Sequence, residues 1–426
     1  MPPNPLLPFL NLQSLPDSRP DAGVNGVDAI LDAVREHLGM EIAFAGRYVD
    51  GRREFTHIRT DLPIPHRPGD SEPQEESFCW HILHGRLPEL IHNAADLPLA
   101  LTLPVTKMLP VGAHMDVPLR RRDGTLLGSF CCVSRTPDYS LNQRDLATLR
   151  AFADLAAVQI EEELQAEDVK RQVQARVDEA IAAGLPHMQL QPIHRFAGAR
   201  IVGMEALARF PDNKERPPSD WFAEAAAVGR GLDLELAAVR SAVQALAYVP
   251  APAYLSINVA PATVLSGALL PILRCAPRGR LVLEVTEHAE VQDYGELRAA
   301  LAPLRQYARI AIDDVGAGYS SLRHILDLEP DILKLDMVLN RDVDSDPARH
   351  ALIGAMVTFA GRVGCTVVAE GVETPAEAAA LQALGVDCGQ GWHFGRPVPP
   401  VAAQQLLLAG EAETGAPRRK QTRRAA

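Results

Sequence analysis

The sequence lacks three features that would place it among membrane, secreted or nucleic-acid-binding proteins. No uninterrupted apolar run reaches the roughly 20 residues that cross a bilayer, and the N-terminal MPPNPLLPFL has no basic segment. The six cysteines are scattered without a CxxC pair, which is typical of a reduced chain rather than a disulfide framework. The net charge of −12 disfavours broad binding to nucleic acid polymers. We therefore expect a soluble, cytoplasmic protein with no membrane partner.

What the sequence does have is length and apolar content. Its 426 residues, 47% of them hydrophobic, suffice for the cores of two or more domains. The Pro-rich residues 1–20 are expected to form a disordered leader. The C-terminal PRRKQTRRAA falls in a second segment, 409–426, that is expected to be a disordered basic tail.

Residues 21–165 alternate between helical and strand-like patterns. Apolar residues at helical spacing over 27–38 predict a first helix. Asp-Gly pairs at 50–51 and 123–124 separate strand-like runs, which predicts two hairpins. The region resembles a GAF domain, an α+β sensory module, through the phrases HLGMEIAF, PVGAHMDVPL and LNQRDLATLRAFADLAA. The resemblance implies an effector, a small molecule or a protein, at this domain.

Four side chains in the GAF-like region invite a metal or chromophore interpretation. They are Cys79, His81, His84 and His92. Cys79 and His81 would not share a helix face, and the spacing fits no established ligand set. Buried Cys and surface His residues are the favoured interpretation.

A long helix is predicted from Asn142 to Gly184, and its second part, 166–184, is interpreted as a helical linker. The apolar stripe of this helix consists of Leu146, Leu149, Phe152, Leu155, Ile160 and Leu164. Such a stripe is explained by pairing with a second chain in a homodimer, or by packing on its own domain. The sequence leaves both alternatives open.

From about residue 185 the pattern changes to eight short apolar runs, most of them separated by gaps long enough for a helix. The runs are HMQLQPI, IVGMEAL, YLSINV, RLVLEV, RIAIDDV, DILKLD, TVVAEGV and GQGWHFG. Alternation of strands and helices predicts a largely parallel sheet, and eight repeats favour a closed β/α barrel of the TIM type.

A polar residue recurs at or near the C-terminal end of each run. These residues are Gln191, Glu205, Asn258, Glu284, Asp313 with Asp314, Lys334, Glu370 and Gln390. The C-terminal strand ends of a barrel converge on one face, so five carboxylates would share a small space there. Such a group repels itself unless cations compensate, and oxygen ligands favour hard divalent ions. Two such ions are suited to a phosphoryl displacement.

At these positions the second half resembles the EAL family of bacterial cyclic di-GMP phosphodiesterases. MEALARF at 204–210 matches the family signature, and QPI, SINVAP, LEVTE, DDVGAGYSSL, DILKLD, AEGVET and QGWHFGRP extend the match over about 185–405. The resemblance implies an EAL-type barrel over residues 185–408 that hydrolyses cyclic di-GMP to linear 5′-pGpG.

The resemblance also implies a role for each matching residue. The implied ligands of two Mg²⁺ or Mn²⁺ ions, with Ca²⁺ inhibitory, are Glu205, Asn258, Glu284, Asp313, Asp314 and Glu370. Lys334 matches a residue near the nucleophilic water and Glu370 one that helps to activate it, so both join Glu205 as catalytic residues. The implied contacts to substrate or water are Gln191, Arg209 and Gln390. Glu287 matches a residue that steadies the loop after the Asp pair.

One departure from the family pattern bears on regulation and rate. Val315 stands where the family usually has Phe, in the loop thought to couple dimerisation to activity. A non-catalytic cyclic di-GMP receptor is the alternative function, although the complete ligand set favours an enzyme. Hydrolysis of another cyclic dinucleotide also stays open, because base recognition is not legible in the sequence. A homodimer regulated by the GAF-like domain is expected.

Overall fold

The structure, a computed structural model, describes residues 26–211, 216–285, 293–316 and 327–415. The chain divides into two compact units, the first ending at Val169 and the second beginning at Lys170. This division lies inside the segment 166–184 that was interpreted as a linker. The predicted leader, Glu287 and residues 416–426 of the predicted tail lie outside the described residues.

The first unit is built on an antiparallel sheet of six strands in the order β3-β2-β1-β6-β5-β4. The strands are β1 Ile42–Val49, β2 Arg52–Thr60, β3 Ser71–Pro73, β4 Leu90–Ile91, β5 His114–Arg120 and β6 Leu126–Val133. The helices are α1 Gly26–Leu38, α2 Phe78–Leu83, α3 Pro98–Thr102, α4 Pro104–Met108 and α5 Gln143–Ala182. The β1–β2 hairpin turns at Asp50 and Gly51, as predicted. Both have positive φ, 49° and 74°, which a two-residue type I′ turn requires.

Neighbouring cysteines of β6 mark the two faces of this sheet. Cys132 packs in the core formed with α1 and the first part of α5, whereas Cys131 packs in the core formed with α2 and α3. The alternation of side chains along a strand accounts for the separation.

Helix α5 covers almost the whole of the predicted helix from 142 to 184. Leu146 and Leu149 are buried in the core of the first unit, but Leu155, which was predicted on the same apolar stripe, is 45% exposed. Most of the stripe is thus used by packing on its own domain. That packing accounts for the apolar pattern without a second chain.

The C-terminal part of α5 belongs to the second unit. Val177 and Ala180 are buried in a small core that also contains Trp221. Arg176 pairs with Glu224, which lies on the same helix as Trp221. The last turns of α5 are therefore part of the folded second unit, and they precede residue 185, at which the barrel was predicted to begin.

Eight strands close into a barrel in the second unit, in the order β10-β11-β12-β13-β14-β7-β8-β9. They are β7 His187–Arg195, β8 Arg200–Arg209, β9 Tyr254–Val259, β10 Leu281–Val285, β11 Ala308–Val315, β12 Ile332–Leu335, β13 Thr366–Ala369 and β14 Cys388–Gly389. The predicted closed barrel is confirmed.

Helices surround the barrel of the second unit, and most of them pack apolar side chains against its outside in one large core. They are α6 Pro218–Ala227, α7 Gly231–Ala245, α8 Pro261–Leu265, α9 Leu269–Leu273, α10 Tyr294–Leu301, α11 Met337–Asn340, α12 Pro347–Val363, α13 Pro375–Ala383 and α14 Pro400–Gly415. Helix α14 continues to Gly415, past residue 408, at which the predicted barrel domain ends.

Strand β7 departs from the predicted parallel arrangement. It pairs antiparallel with both β8 and β14, and only residues 196–199 separate it from β8. A parallel crossover needs a dozen or more residues, so this link permits only a hairpin.

The eighth predicted run, GQGWHFG, also departs from expectation, because the strand here, Cys388–Gly389, has just two residues. Beyond it Gly391 has φ 149°, and a Cβ there would lie 2.2 Å from the backbone oxygen of Val372.

Candidate active site

Two layers of side chains fill the inside of the barrel. The lower layer is apolar and consists of Ile193, Tyr254, Val282, Ala311, Ile332, Val368 and Cys388. Side chains of a strand return to the same face every second residue. The next inward position along each strand is polar, and these positions are Ser256, Glu284, Asp313, Lys334, Glu370 and Gln390, with Gln191 two residues before Ile193 on the reversed strand. Strand periodicity thus assembles the predicted polar site.

Lys334 lies among the carboxylates of this polar layer, and its side chain is almost completely buried. Its Nζ is 2.6 Å from Glu370 Oε1, 2.8 Å from Glu284 Oε2, 3.1 Å from Asp313 Oδ1 and 3.8 Å from Glu205 Oε1. Four acidic side chains therefore share one buried ammonium group. Their charges raise the pKa of Lys334 well above its usual range, although burial acts in the opposite direction.

Amide side chains hold Glu205 in place. Asn258 Nδ2 donates to Glu205 Oε1 at 2.9 Å, and Gln390 Nε2 donates to the other carboxylate oxygen. The same Gln390 nitrogen lies 3.2 Å from Gln191 Oε1. Burial would raise the pKa of Glu205, but Lys334 and these hydrogen bonds lower it on balance. Glu205 is only 6% exposed.

The adjacent carboxylates of Asp313 and Asp314 are accommodated by an irregularity in β11. Ile312 pairs with Leu333 and Val315 pairs with Leu335, so β11 uses one more residue than β12 across this interval. Asp314 takes the left-handed conformation, with φ 55°, which Asp tolerates better than most residues. The bulge lets oxygen atoms of Asp313, Asp314 and Glu370 come within 4.8 Å of one another.

The strand includes the Asp pair and ends at Val315, as the predicted run RIAIDDV does. One expectation from the sequence is corrected. Val315 itself is buried in the core between barrel and helices, so it belongs to the strand and not to a loop.

The site is short of positive charge, which is the property expected of a cation site. Burial and the neighbouring carboxylates raise the pKa of Glu284 well above its usual range. The charge of Lys334 lowers this pKa but does not offset the other effects. Burial and Asp313 likewise raise the pKa of Glu370 to about 8, against the effect of Lys334. Asp313 Oδ1 is buried without a hydrogen bond, even though it lies at ion-pair distance from Lys334. Carboxylate and amide oxygens are the ligands that Mg²⁺ and Mn²⁺ prefer, so these residues fit such ions.

A cavity of about 310 Å³ opens above the polar layer. Its lining includes the predicted Gln191, Glu205, Asp314, Glu370 and Gln390, together with Asp336, Met337, Gly371, Glu373, Gly391 and Trp392. Arg209 is not in this lining; it lies with Asn258 in a neighbouring cavity of about 200 Å³ and donates to Gln189 Oε1 at 2.9 Å.

Two residues of the site were missed at the sequence level. Ser256 Oγ donates to Glu284 Oε1, and Trp392 stands 58% exposed at the cavity with the Arg396 guanidinium 4.3 Å from its ring. Ser256 could have been found from its position two residues before Asn258 on the same strand. Trp392 could have been found as a rare aromatic within the QGWHFGRP match.

The Cys and His residues considered in the first unit are not brought together as a set. Cys79 is buried as expected, but His81 is also buried, and its Nε2 donates a hydrogen bond to Glu75 O at 3.0 Å. Cys79 instead lies beside His114 and Cys131, with ligand atoms within 4.8 Å of one another. The sequence did not single out His114 or Cys131, because the three residues lie on separate elements.

The fold and site define a β/α barrel with an oxygen-rich, cation-binding face. A family model described as EAL domain matches residues 174–397, and one described as GAF domain matches residues 26–160. The EAL match spans more than half of the sequence. The chain therefore belongs to the EAL-domain family and carries a GAF domain before its barrel.

Similar proteins include signalling proteins of other bacteria. The signaling protein YkoW of Bacillus subtilis is 28% identical over 57% of this chain and 32% of its own length. An uncharacterized protein of Mycobacterium tuberculosis is 32% identical over 49% of this chain and 74% of its own. Against an uncharacterized signaling protein of Caulobacter vibrioides, 29% identical, the match spans 81% of this chain but 42% of the relative. The chain thus spans about a third of the length of YkoW and about two fifths of the length of the Caulobacter relative.

Among solved structures, the EAL enzyme Bd1971 in a form bound to cAMP and cyclic di-GMP resembles this chain over 86% of its length and 93% of that protein. The TM-score is 0.53 at 17% sequence identity, which shows a common fold. Among the helices that the structure describes, none combines the length and the apolar character needed to cross a membrane.

Proposed function

We propose that this protein hydrolyses cyclic di-GMP to linear 5′-pGpG in a reaction that depends on two Mg²⁺ or Mn²⁺ ions. The observation that carries the proposal is the polar layer of the barrel, where four carboxylates surround a single buried lysine beneath an open cavity and a fifth, that of Asp314, lies within 4.8 Å of two of them. Membership of the EAL family and the cyclic di-GMP complex of Bd1971 support the choice of substrate.

The ions would be held by the oxygens of Glu205, Asn258, Glu284, Asp313, Asp314 and Glu370. When bound, they would supply positive charge for the developing charge on the phosphoryl oxygens. Lys334 contributes one fixed charge and holds Glu370 Oε1 at 2.6 Å. Burial and Asp313 raise the pKa of Glu370 in the absence of ions, and bound cations would lower it, which would leave the carboxylate free to accept a proton from the attacking water.

Side chains at the cavity would position the dinucleotide. Gln191 and Gln390 form a hydrogen-bonded pair at its base, and Arg209, in the neighbouring cavity, keeps the substrate role that family resemblance implies. The exposed indole of Trp392 offers a surface on which a guanine base can stack.

The test is incubation of the purified protein with cyclic di-GMP and Mg²⁺ or Mn²⁺, with Ca²⁺ and excess chelator as controls, followed by chromatography. We expect 5′-pGpG with Mg²⁺ or Mn²⁺ and no product with Ca²⁺ or chelator. Tight binding of cyclic di-GMP without turnover under every metal condition would instead support a receptor. Faster cleavage of a different cyclic dinucleotide would correct the substrate and keep the reaction class.

We also propose that the GAF domain regulates the barrel and that the protein acts as a homodimer. Helix α5 supports this proposal because it belongs to both units: Leu149 is buried in a core of the first unit and Val177 in a core of the second. Turnover and oligomeric state of the full chain should therefore differ from those of residues 170–426. Equal rates and an equal number of chains per particle across a range of effectors would leave the GAF domain as a passive attachment.

A further inference from the structure

A second cluster of buried reactive groups lies in the first unit and is not used by the proposed hydrolysis. Cys79 Sγ and Cys131 Sγ are 3.2 Å apart, and both side chains are essentially inaccessible. A disulfide bond is about 2.05 Å long, so a small side-chain adjustment separates this contact from a bond. All six cysteines are free thiols, and these two come from α2 and β6.

Arg53 prepares Cys79 as a thiolate. Its Nη1 donates to Cys79 Sγ at 2.8 Å, and its Nη2 donates to Glu72 Oε1 at 2.7 Å. The Phe55 ring lies 4.5 Å from the guanidinium and helps to fix its position. Burial alone would raise the pKa of Cys79, but the hydrogen bond with Cys131 and the charge of Arg53 lower it well below its usual range. Thiolates, not thiols, are the nucleophiles of cysteine chemistry.

Cys131 differs from its neighbour in holding its proton. Its single S–H proton is within hydrogen-bond distance of two acceptors, Cys79 Sγ at 3.2 Å and Asp116 Oδ1 at 3.1 Å, and burial raises its pKa well above the usual range. Burial and the negative charge of Cys79 raise the pKa of Asp116 as well. The Cys131 thiol therefore lies beside two groups that can take its proton, the Asp116 carboxylate and the Cys79 thiolate.

A cavity of about 180 Å³ gives small molecules a route to Cys79. Its lining includes Cys79 and Asp116 together with Tyr48 and Ser129, and it reaches the surface at the exposed Arg120. The cavity is polar in part and has room for a small hydroperoxide. A bulky disulfide such as oxidised glutathione would not fit beside the sulfur atoms.

We propose that Cys79 and Cys131 form a redox-active pair that a small hydroperoxide converts to a disulfide. The Cys79 sulfur attacks the peroxide oxygen, the O–O bond breaks, and the alkoxide leaves as the alcohol after taking a proton from water. Cys79 is then a sulfenic acid. The Cys131 sulfur attacks it, forming the S–S bond and breaking the S–O bond, while the Cys131 proton passes through Asp116 to the departing hydroxide. One thiolate, one thiol and one hydroperoxide yield a disulfide, an alcohol and a hydroxide ion.

A metal centre of Cys79, His114 and Cys131 is the competing use of the same atoms, since their ligand atoms lie within 4.8 Å of one another. The guanidinium of Arg53 disfavours it, because this cation lies 2.8 Å from one of the two sulfur ligands. Charge compensation at Cys79 is thus provided by the protein, and a divalent ion would be repelled by it.

The test uses the full-length protein with Cys275→Ser, which removes the exposed thiol and leaves five cysteines of six. The reduced protein is treated with tert-butyl hydroperoxide, alkylated in denaturant and mapped by mass spectrometry. We expect two thiols to be lost and one peptide pair linked through residues 79 and 131, both restored by dithiothreitol. Unchanged thiol counts, or links that involve other cysteines, would overturn the proposal.

Variants separate the two steps. Cys131→Ser should leave a sulfenic acid at Cys79 that reacts with dimedone, whereas Cys79→Ser should show neither reaction. Asp116→Asn should slow disulfide closure roughly tenfold or more, with transient dimedone labelling of Cys79. Cys365→Ser, in the barrel unit, is the control and should oxidise like the parent. If the reduced protein retains one equivalent of Zn²⁺ that Cys79→Ser lacks, the site is a metal centre and the redox proposal is wrong.

Discussion

The barrel site can be compared with the cluster of Cys79, Cys131, Arg53 and Asp116, called here the thiol cluster. Each site buries one cation among acidic groups, but the balance of charge differs between them. Lys334 is shared by several carboxylates and leaves two of them with raised pKa values, whereas Arg53 is matched to Cys79 and Glu72. The barrel therefore lacks positive charge and suits added divalent ions. The thiol cluster is compensated by its own arginine and suits a reaction of sulfur.

The two sites also differ in how they are encoded. Each inward residue of the barrel site follows from the two-residue period of a strand, so the whole set repeats along the sequence. The thiol cluster combines β2, α2, β5 and β6, and no period connects them. A disturbance of one barrel residue should thus affect hydrolysis alone, and the predictions below test that separation.

The largest effect is expected for Glu205→Gln. The change removes a proposed ion ligand and should lower the hydrolysis rate by roughly 10³-fold, since several kcal/mol of charge stabilisation are lost. Oxidation of Cys79 should be unaffected. Steady-state kinetics and the thiol assay measure the two effects, and Glu329→Gln, in an exposed ion pair with Arg298, is the control. A variant that fails to fold by circular dichroism would contradict the catalytic assignment.

A second effect concerns pH in the metal-free protein. The folded pKa of Glu370, about 8, exceeds that of an unfolded glutamate, so the folded state holds the extra proton and loses stability as pH rises from about 4.5 to 8. The thermal midpoint of the barrel unit should be lower at pH 8 than at pH 6 without divalent ions. Mg²⁺ should raise it more at pH 8. Calorimetry of residues 170–426 checks this, and Glu370→Gln should flatten the dependence. A midpoint that rises with pH would contradict the charge deficit.

A third effect concerns the start of the barrel unit. A fragment beginning at Lys170 keeps Val177 and Ala180 against Trp221, but one beginning at Ala183 exposes that core. We expect the shorter fragment to be less stable by about 2 kcal/mol or more, the value of burying an aliphatic side chain of this size. Urea denaturation of both fragments measures the difference. Equal midpoints would show that the C-terminal turns of α5 are dispensable.

The smallest effect is expected for Trp392→Ala. Loss of a stacking surface should raise the KM for the dinucleotide about fivefold and leave kcat unchanged, because the indole lies at the cavity entrance and not among the carboxylates. Trp392→Phe should restore most of the affinity. A fall in kcat of the same size as the rise in KM would place Trp392 closer to the reaction than the structure indicates.

Much of the barrel could be predicted because local pattern and global fold agree there. Eight apolar runs, each with a polar residue, are sufficient to predict closure and to gather Glu284, Asp313, Lys334 and Glu370 in one layer. The bulge at Asp314 could not be predicted, since it depends on the pairing of β11 with β12. Likewise, the burial of Glu205 depends on amide partners from distant strands.

The thiol cluster shows the limit more clearly. The sequence singles out Cys79 for its neighbouring histidines, but Cys79 lies on helix α2 and its partners Arg53 and Cys131 lie on strands β2 and β6. The register of the sheet determines where those partners lie. Residues of β5 bring Asp116 opposite Cys131 of β6, and this pairing has no sequence signal of its own. The position of Arg53 on β2 follows from the β1–β2 hairpin, but its contact with Cys79 follows only from the packing of α2.

The reversed strand β7 has a consequence for the route by which the chain enters the barrel. His187, its first residue, pairs with Arg209, the last residue of β8, so the chain arrives at the edge that carries the site. In a wholly parallel barrel the preceding helix would deliver the chain to the opposite edge. Gln191 lies nine positions after Ala182, the end of α5, and its neighbour across the hairpin is Glu205. The reversal of one strand therefore places the end of α5 only nine positions before the residue that pairs with a candidate metal ligand.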